Sequence, residues 1–205
     1  MRKPEYISQL LLKIAIKSDE QAFKELFNLF SARLICFSYA FSHNKELAEE
    51  VVSDVFFKIW LNRKSLDNLE NFTAYIFKAT KNTTLNHLGT EKRQKSKSLE
   101  GLDADYVIDY ICPETSLINN EMKLIIEKAV MSLPSRCKLI FHLAKEEKMR
   151  YKEISDILGI SVKTIDNQIA IAIKKISEVI KEYLENNGEI DQLPILLQLF
   201  IPIAY

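Results

Sequence analysis

"YKEISDILGISVKTIDNQIAIAIKK", running from Tyr151 to Lys175, decides the fold. Two helix-like apolar patterns meet there at a single glycine, in a chain that has only four. Ile154, Ile157 and Leu158 form the inward stripe of a first helix over 151–158. Gly159 fits the position just past a helix C-terminus, where glycine adopts a left-handed backbone without a Cβ clash. Ile160 can then pack back into the core. Ser161 can cap the next helix by accepting a bond from an N–H that has no partner within the helix. In that second helix Val162, Ile165, Ile169, Ala172 and Ile176 are expected inward, while Lys163, Thr164, Asp166, Asn167 and Gln168 are expected outward near its start. This is the helix-turn-helix arrangement, whose second helix sets its first outward residues against base edges in the major groove. Asn and Gln pair bidentately with adenine, and Lys donates to guanine or phosphate. Asp166 is repelled by phosphates, so it is expected to accept from a cytosine amino group or to pair with Lys163.

Composition supports helices throughout. The chain has 205 residues, 47% of them hydrophobic, with four glycines and five prolines, so one large or two small helical domains can bury a core. No bounded run of alternating apolar and polar residues marks a half-buried strand. The formal net charge is zero, which argues against a protein that coats nucleic acid nonspecifically but leaves room for a local contact surface. Cys36, Cys112 and Cys137 are odd in number and far apart, and His43, His87 and His142 lie near no second ligand in sequence. Reduced thiols in a cytoplasmic protein are expected, and neither a metal nor a cofactor. No nucleophilic triad and no phosphate-binding glycine loop is present, so no catalytic residue is expected.

The N-terminal "MRKPEYISQLLLKIAIKSDE" is interrupted by Lys13 and Lys17 and reads as an amphipathic helix rather than a signal peptide. Ser18 and Gln21 form a candidate capping box for the next helix, in which Phe23, Phe27, Phe30 and Leu34 follow at helical spacing. Asn44 is a candidate cap for a helix with the stripe Ala48, Val51, Val52, Val55, Phe56 and Ile59, and Asn71 for one beginning "NFTAYIFKATKNTTLNHL". From Gly89 to Ser116 the pattern fails, and a basic half precedes an acidic half; this is expected to be a linker. Its cluster Glu100, Asp103, Asp105 and Asp109 fits either a nucleic-acid mimic or a soluble tether. Periodicity returns over 117–186. The last segment, 187–205, is largely apolar, too short to span a bilayer, and broken by Pro194 and Pro202. It is expected to fold back on a domain or a partner, with a membrane-surface contact or a degradation signal as the other readings. The fold class is therefore all-α, two small helical domains (1–88 and 117–186) joined by a charged linker over 89–116, the second a helix-turn-helix domain.

At this point the residues resemble a known family. "LPSRCKLIFHLAKEEKMRYKEISDILGISVKTIDNQIAIAIKKI" looks like the C-terminal domain of bacterial sigma-70-type factors, with Leu133-Pro134, Tyr151, Glu153-Ile154, Leu158-Gly159, Ser161, Thr164-Ile165 and Ala172 where that pattern expects them. "DEQAFKELFNLFSARLICFSYAFSHNKELAEEVVSDVFFKIW" resembles the family's N-terminal domain, and two such domains with a short linker resemble the extracytoplasmic-function (ECF) type. The resemblance implies a sigma factor that binds core RNA polymerase, through its β′ coiled coil and β flap, and directs it to promoter DNA. It implies a −35 contact set of Arg150, Tyr151, Lys152, Ser161, Lys163, Thr164, Asn167 and Gln168. The −10 set for melting and capture is Lys64, Asn71, Tyr75, Lys78, Lys81 and Asn82. A polymerase face follows in Glu49, Glu50, Ser53, Asp54, Phe57 and Trp60, where an acidic and aromatic surface suits a partner rich in Arg. It further implies control by an anti-sigma protein. The sequence departs from the family's frequent Gln at Ser53, Trp at Tyr75 and Arg at Lys81, though Tyr75 stays aromatic and Lys81 cationic. Two other readings remain open from the residues: a stand-alone helix-turn-helix regulator, and an interaction protein that titrates an anti-sigma partner. The Ala48–Trp60 helix argues against the first, and Ser53 and Asp166 lend the second some support.

Overall fold

A computed structural model describes residues 4–89 and 120–188. The expected linker beyond Gly89, with Cys112 and the acidic cluster, and the apolar tail beyond Gly188 lie outside the described residues. The chain divides into two units, Met1–Glu100 and Gly101–Tyr205, and every regular element among the described residues is helical.

In the first unit α1 (Pro4–Lys17), α2 (Glu20–Ser42), α3 (Lys45–Leu61), a short 3-10 helix (Arg63–Asn68) and α4 (Phe72–His87) follow one another. Side-chain caps set three of the starts. Asn44 Oδ1 accepts from Leu47 N at 3.0 Å and Asn71 Oδ1 from Ala74 N at 3.1 Å, as the sequence suggested. The expected Ser18–Gln21 capping box does not form. Asp19 is the cap of α2 and accepts from Ala22 N at 3.0 Å, because Ser18 is left-handed (φ 51°) and an N-cap needs extended backbone. The Ser18 hydroxyl accepts instead from Arg63 Nε at 2.8 Å, tying the α1–α2 turn to the 3-10 helix.

The core lies where α2, α3 and α4 pack pairwise. Leu26, Phe30, Leu34 and Phe37 of α2 meet Val51, Val52, Val55, Phe56 and Ile59 of α3 and Phe72, Ile76 and Phe77 of α4, all buried. Edge-on ring pairs knit it together: Phe37–Phe77 at 5.0 Å and Phe30–Phe72 at 5.5 Å between centroids. Between α2 and α4 runs a buried hydroxyl seam. Ser38 Oγ and Thr84 Oγ1 share a 2.8 Å hydrogen bond, Thr84 also donates to the Thr80 carbonyl, and Thr80 donates to the Ile76 carbonyl. Burial without a partner would cost each hydroxyl about 1–3 kcal/mol, and here each has one.

The second unit holds α5 (Asn120–Met131), α6 (Ser135–Lys145), α7 (Tyr151–Leu158) and α8 (Val162–Asn187). Gly159 ends α7 at φ 72°, its N–H donating to the Ser155 carbonyl at 2.8 Å. Ser155 Oγ donates to the Ile160 carbonyl, and Ser161 Oγ accepts from Thr164 N at 3.0 Å. The turn was therefore legible to the residue. Ile165, Ile169, Ala172 and Ile176 are buried as expected, but Val162 is not: it is 45% exposed. As the first helical residue it precedes the first complete turn, so α8 begins to pack at Ile165.

Two buried polar features were not anticipated. Lys138 is only 2% exposed and donates to the Met131 carbonyl at 2.7 Å, where a cation complements the C-terminal end of α5. His142 Nε2 lies 3.6 Å from the buried carboxylate of Glu147.

Candidate nucleic-acid interface and partner face

The helix-turn-helix presents its outward residues from two helix starts. At the head of α7, Glu153 accepts from the Arg150 backbone N–H at 2.8 Å and from its guanidinium at 2.8 Å, which folds Arg150 over the N-terminus. Lys152 is exposed, and Tyr151 is half-buried. Burial, and then the Asp166 carboxylate, push the Tyr151 hydroxyl above its ordinary pKa. Asp166 is exposed, and the ion pair with Lys163 that the sequence allowed does not form among the described residues. On α8, Lys163 and Asn167 are exposed, and an ammonium and a carboxamide are groups able to bond phosphates or base edges. The Thr164 and Ser161 hydroxyls bond to each other at 2.8 Å as part of the cap. Gln168 is half-buried, and its backbone carbonyl accepts from the Cys137 thiol at 3.1 Å. Desolvation pushes that thiol up to about 11, with Lys175 pulling the other way.

The −10 set is divided. Tyr75, Lys78 and Asn82 fall at i, i+3 and i+7 along α4 and are exposed on one face, Tyr75 at 41%. The Tyr75 ring leans on Phe72, with centroids 6.2 Å apart. Lys81 is half-buried beside them. Asn71 has its acceptor oxygen engaged by the α4 cap, and Lys64 lies elsewhere, on the exposed side of the 3-10 helix.

On α3, Glu49, Glu50, Ser53 and Phe57 are exposed, and Asp54 and Trp60 are half-buried. Ser53 Oγ donates to the Glu49 carbonyl at 2.9 Å, so its hydroxyl is directed along the helix. Phe57 is 62% exposed, and with Glu20, Phe23 and Trp60 it lines an open cavity of about 360 Å³. Arg63 stacks its guanidinium 4.7 Å from the Trp60 ring centroid, and Phe23 packs on that ring at 4.9 Å. Three participants, Phe23, Glu20 and His87, were not assigned to this face from the sequence. Phe23 and Glu20 come from α2, so the groove exists only once α2 and α3 pack. His87, at the end of α4, places Nε2 3.0 Å from Asp54 Oδ2 and Nδ1 3.9 Å from Glu50 Oε1. Neither pairing leaves a mark in local spacing. No group of three or more metal-ligating side chains occurs among the described residues.

Two family patterns match the chain, sigma-70 region 2 over residues 26–94 and sigma-70 region 4 over residues 123–176, together more than half of it. The chain belongs to the sigma-70 family. Among its relatives, the ECF RNA polymerase sigma factor SigW of Bacillus subtilis is 22% identical, over 77% of this chain and 88% of that protein. The RNA polymerase sigma-H factor of Pseudomonas aeruginosa is 21% identical, over 86% and 95%. A solved structure described as CnrH in complex with the cytosolic domain of CnrY has a TM-score of 0.46 and 18% identity, over 86% of this chain and 98% of that one. This sigma factor is of the ECF type and directs promoter-specific transcription initiation by RNA polymerase, in a family of initiation factors rather than enzymes. No described helix is long and apolar enough to cross a membrane.

Proposed function

We propose that the sigma factor divides its labour at residue level. The domain over 1–88 docks on the polymerase β′ coiled coil through the α3 face and captures the opened −10 strand along α4. The domain over 117–186 reads the −35 duplex with α8 and meets the β flap, and 89–116 serves as the linker between them. The observation that carries this reading is the exposed aromatic and acidic face of Phe57, Glu49 and Glu50, in the same chain as a recognition helix that exposes Lys163 and Asn167. Melting costs about a few kcal/mol per base step, and Tyr75 offers a stacking surface, with Lys78 beside it for the backbone. Control falls to an anti-sigma protein that covers these faces in the cytoplasm.

The test is transcription in vitro on a promoter library with purified core polymerase. Initiation should depend on this protein and fail with Asn167→Ala plus Gln168→Ala. Sequence-specific retention of DNA by the protein alone, with no initiation, would shift the assignment to a stand-alone regulator.

A further inference from the structure

Helix α5 is apolar on two sides. Ile126 and Ala129 are buried inward, yet Leu124 and Met131 are 56% and 44% exposed, and Lys128 between them is exposed as well. Residues 124, 128 and 131 follow at i, i+4 and i+7, so they form one outward stripe. An amphipathic surface helix carries polar residues on that side. The stripe uses no residue assigned to promoter or polymerase contact above.

We propose that Leu193–Tyr205 of this same chain docks along the Leu124–Met131 stripe. Gly188 ends α8 in the left-handed conformation (φ 71°), with open space where a Cβ would stand. That conformation turns the chain off the α8 axis instead of continuing it. Eleven of the 17 residues from 189 to 205 are apolar, a composition that needs cover. Pro194 and Pro202 limit the length of any single helix in this segment. Reach is ample: 17 extended residues span up to about 55 Å, against about 18 Å for the length of α5, which itself packs on α8. The aliphatic stem of Lys128 can lie under the tail with its ammonium in water. The region 4 pattern ends at residue 176, so this contact would be an addition of this chain to the shared fold.

Amide hydrogen exchange on the full chain, compared with a chain stopped after Gly188, tests this. Exchange over 124–131 should quicken about tenfold in the shortened chain. The full-length Leu124→Lys plus Met131→Lys variant should show the same quickening over 193–205, with both proteins monomeric by sedimentation. Both changes are on the surface, so the lysine variant should still melt cooperatively, at a temperature no lower than that of the shortened chain; if the lysine variant fails to fold, the shortened chain decides alone. Equal exchange over 124–131 in the two chains overturns the proposal. Protection that grows with protein concentration overturns it in favour of a second copy. Co-sedimentation with phosphatidylglycerol vesicles, with exchange over 124–131 unaffected by the tail, overturns it in favour of a lipid surface.

Discussion

Phe57→Ala isolates the partner face from the fold. The ring is 62% exposed on α3, at the rim of the groove it shares with Glu20, Phe23 and Trp60. A fully covered aromatic side chain buries about 150–250 Å². A partner can thus remove roughly 100–150 Å² of Phe57 surface from water, worth about 3 kcal/mol at about 25 cal/mol/Å². Complete cover then corresponds to about a 150-fold loss of affinity on truncation, and half cover to about tenfold. Stability should change little, by less than about 1 kcal/mol, since the part of the ring already packed is the smaller. The assay is competition of the variant against labelled parent protein for core polymerase, with a thermal melt of each protein alone. Wild-type affinity in a variant with an unchanged melt would refute the placement of the polymerase face on this side of α3.

Three further outcomes are expected. Ser161→Ala removes the acceptor of Thr164 N and the hydroxyl partner of Thr164, and should cost the second unit about 1 kcal/mol, a fall of roughly 4–8 °C by calorimetry. Tyr75→Ala should leave −35 duplex binding by the polymerase complex intact but reduce permanganate reactivity of −10 thymines at least about tenfold, because in the proposed reading the exposed part of that ring serves strand capture. Cys137, raised from 9.0 to about 11, holds its proton more tightly folded than unfolded. Its contribution is complete below about pH 9 and is lost as pH rises through 9 to 11, so the gap in urea midpoint between wild type and Cys137→Ala should narrow over that window. The comparison with the variant is needed because Lys145, lowered by desolvation to about 8, acts in the opposite direction as pH rises from 8 toward 10.5.

What the sequence made legible was whatever depends on near neighbours. Asn44, Asn71, Ser161 and Gly159 announce helix ends because a cap is a contract among residues three or four apart. The same local logic failed at Ser18, where the left-handed backbone handed the cap to Asp19, and at Val162, where helical phase alone does not say on which turn packing begins. Long-range pairings were invisible: His87 with Asp54 and Glu50, and Phe23 with Trp60, join residues whose separation carries no periodic signal; Lys138 bonds the end of α5 only seven residues away, but across a turn between helices that apolar periodicity does not describe. Phe57 stood out early because an aromatic on the polar side of a stripe is costly to leave in water.

The hydroxyl seam between α2 and α4 gives the first unit a mechanical property. An all-aliphatic contact between two helices tolerates sliding, since one methyl replaces another at little cost. Sliding α4 by a turn would break the buried Ser38–Thr84 hydrogen bond and set a hydroxyl against an aliphatic neighbour. The Ser38–Thr84 pair therefore acts as a key between the two helices, setting the register of α4 on α2 at one point along their length.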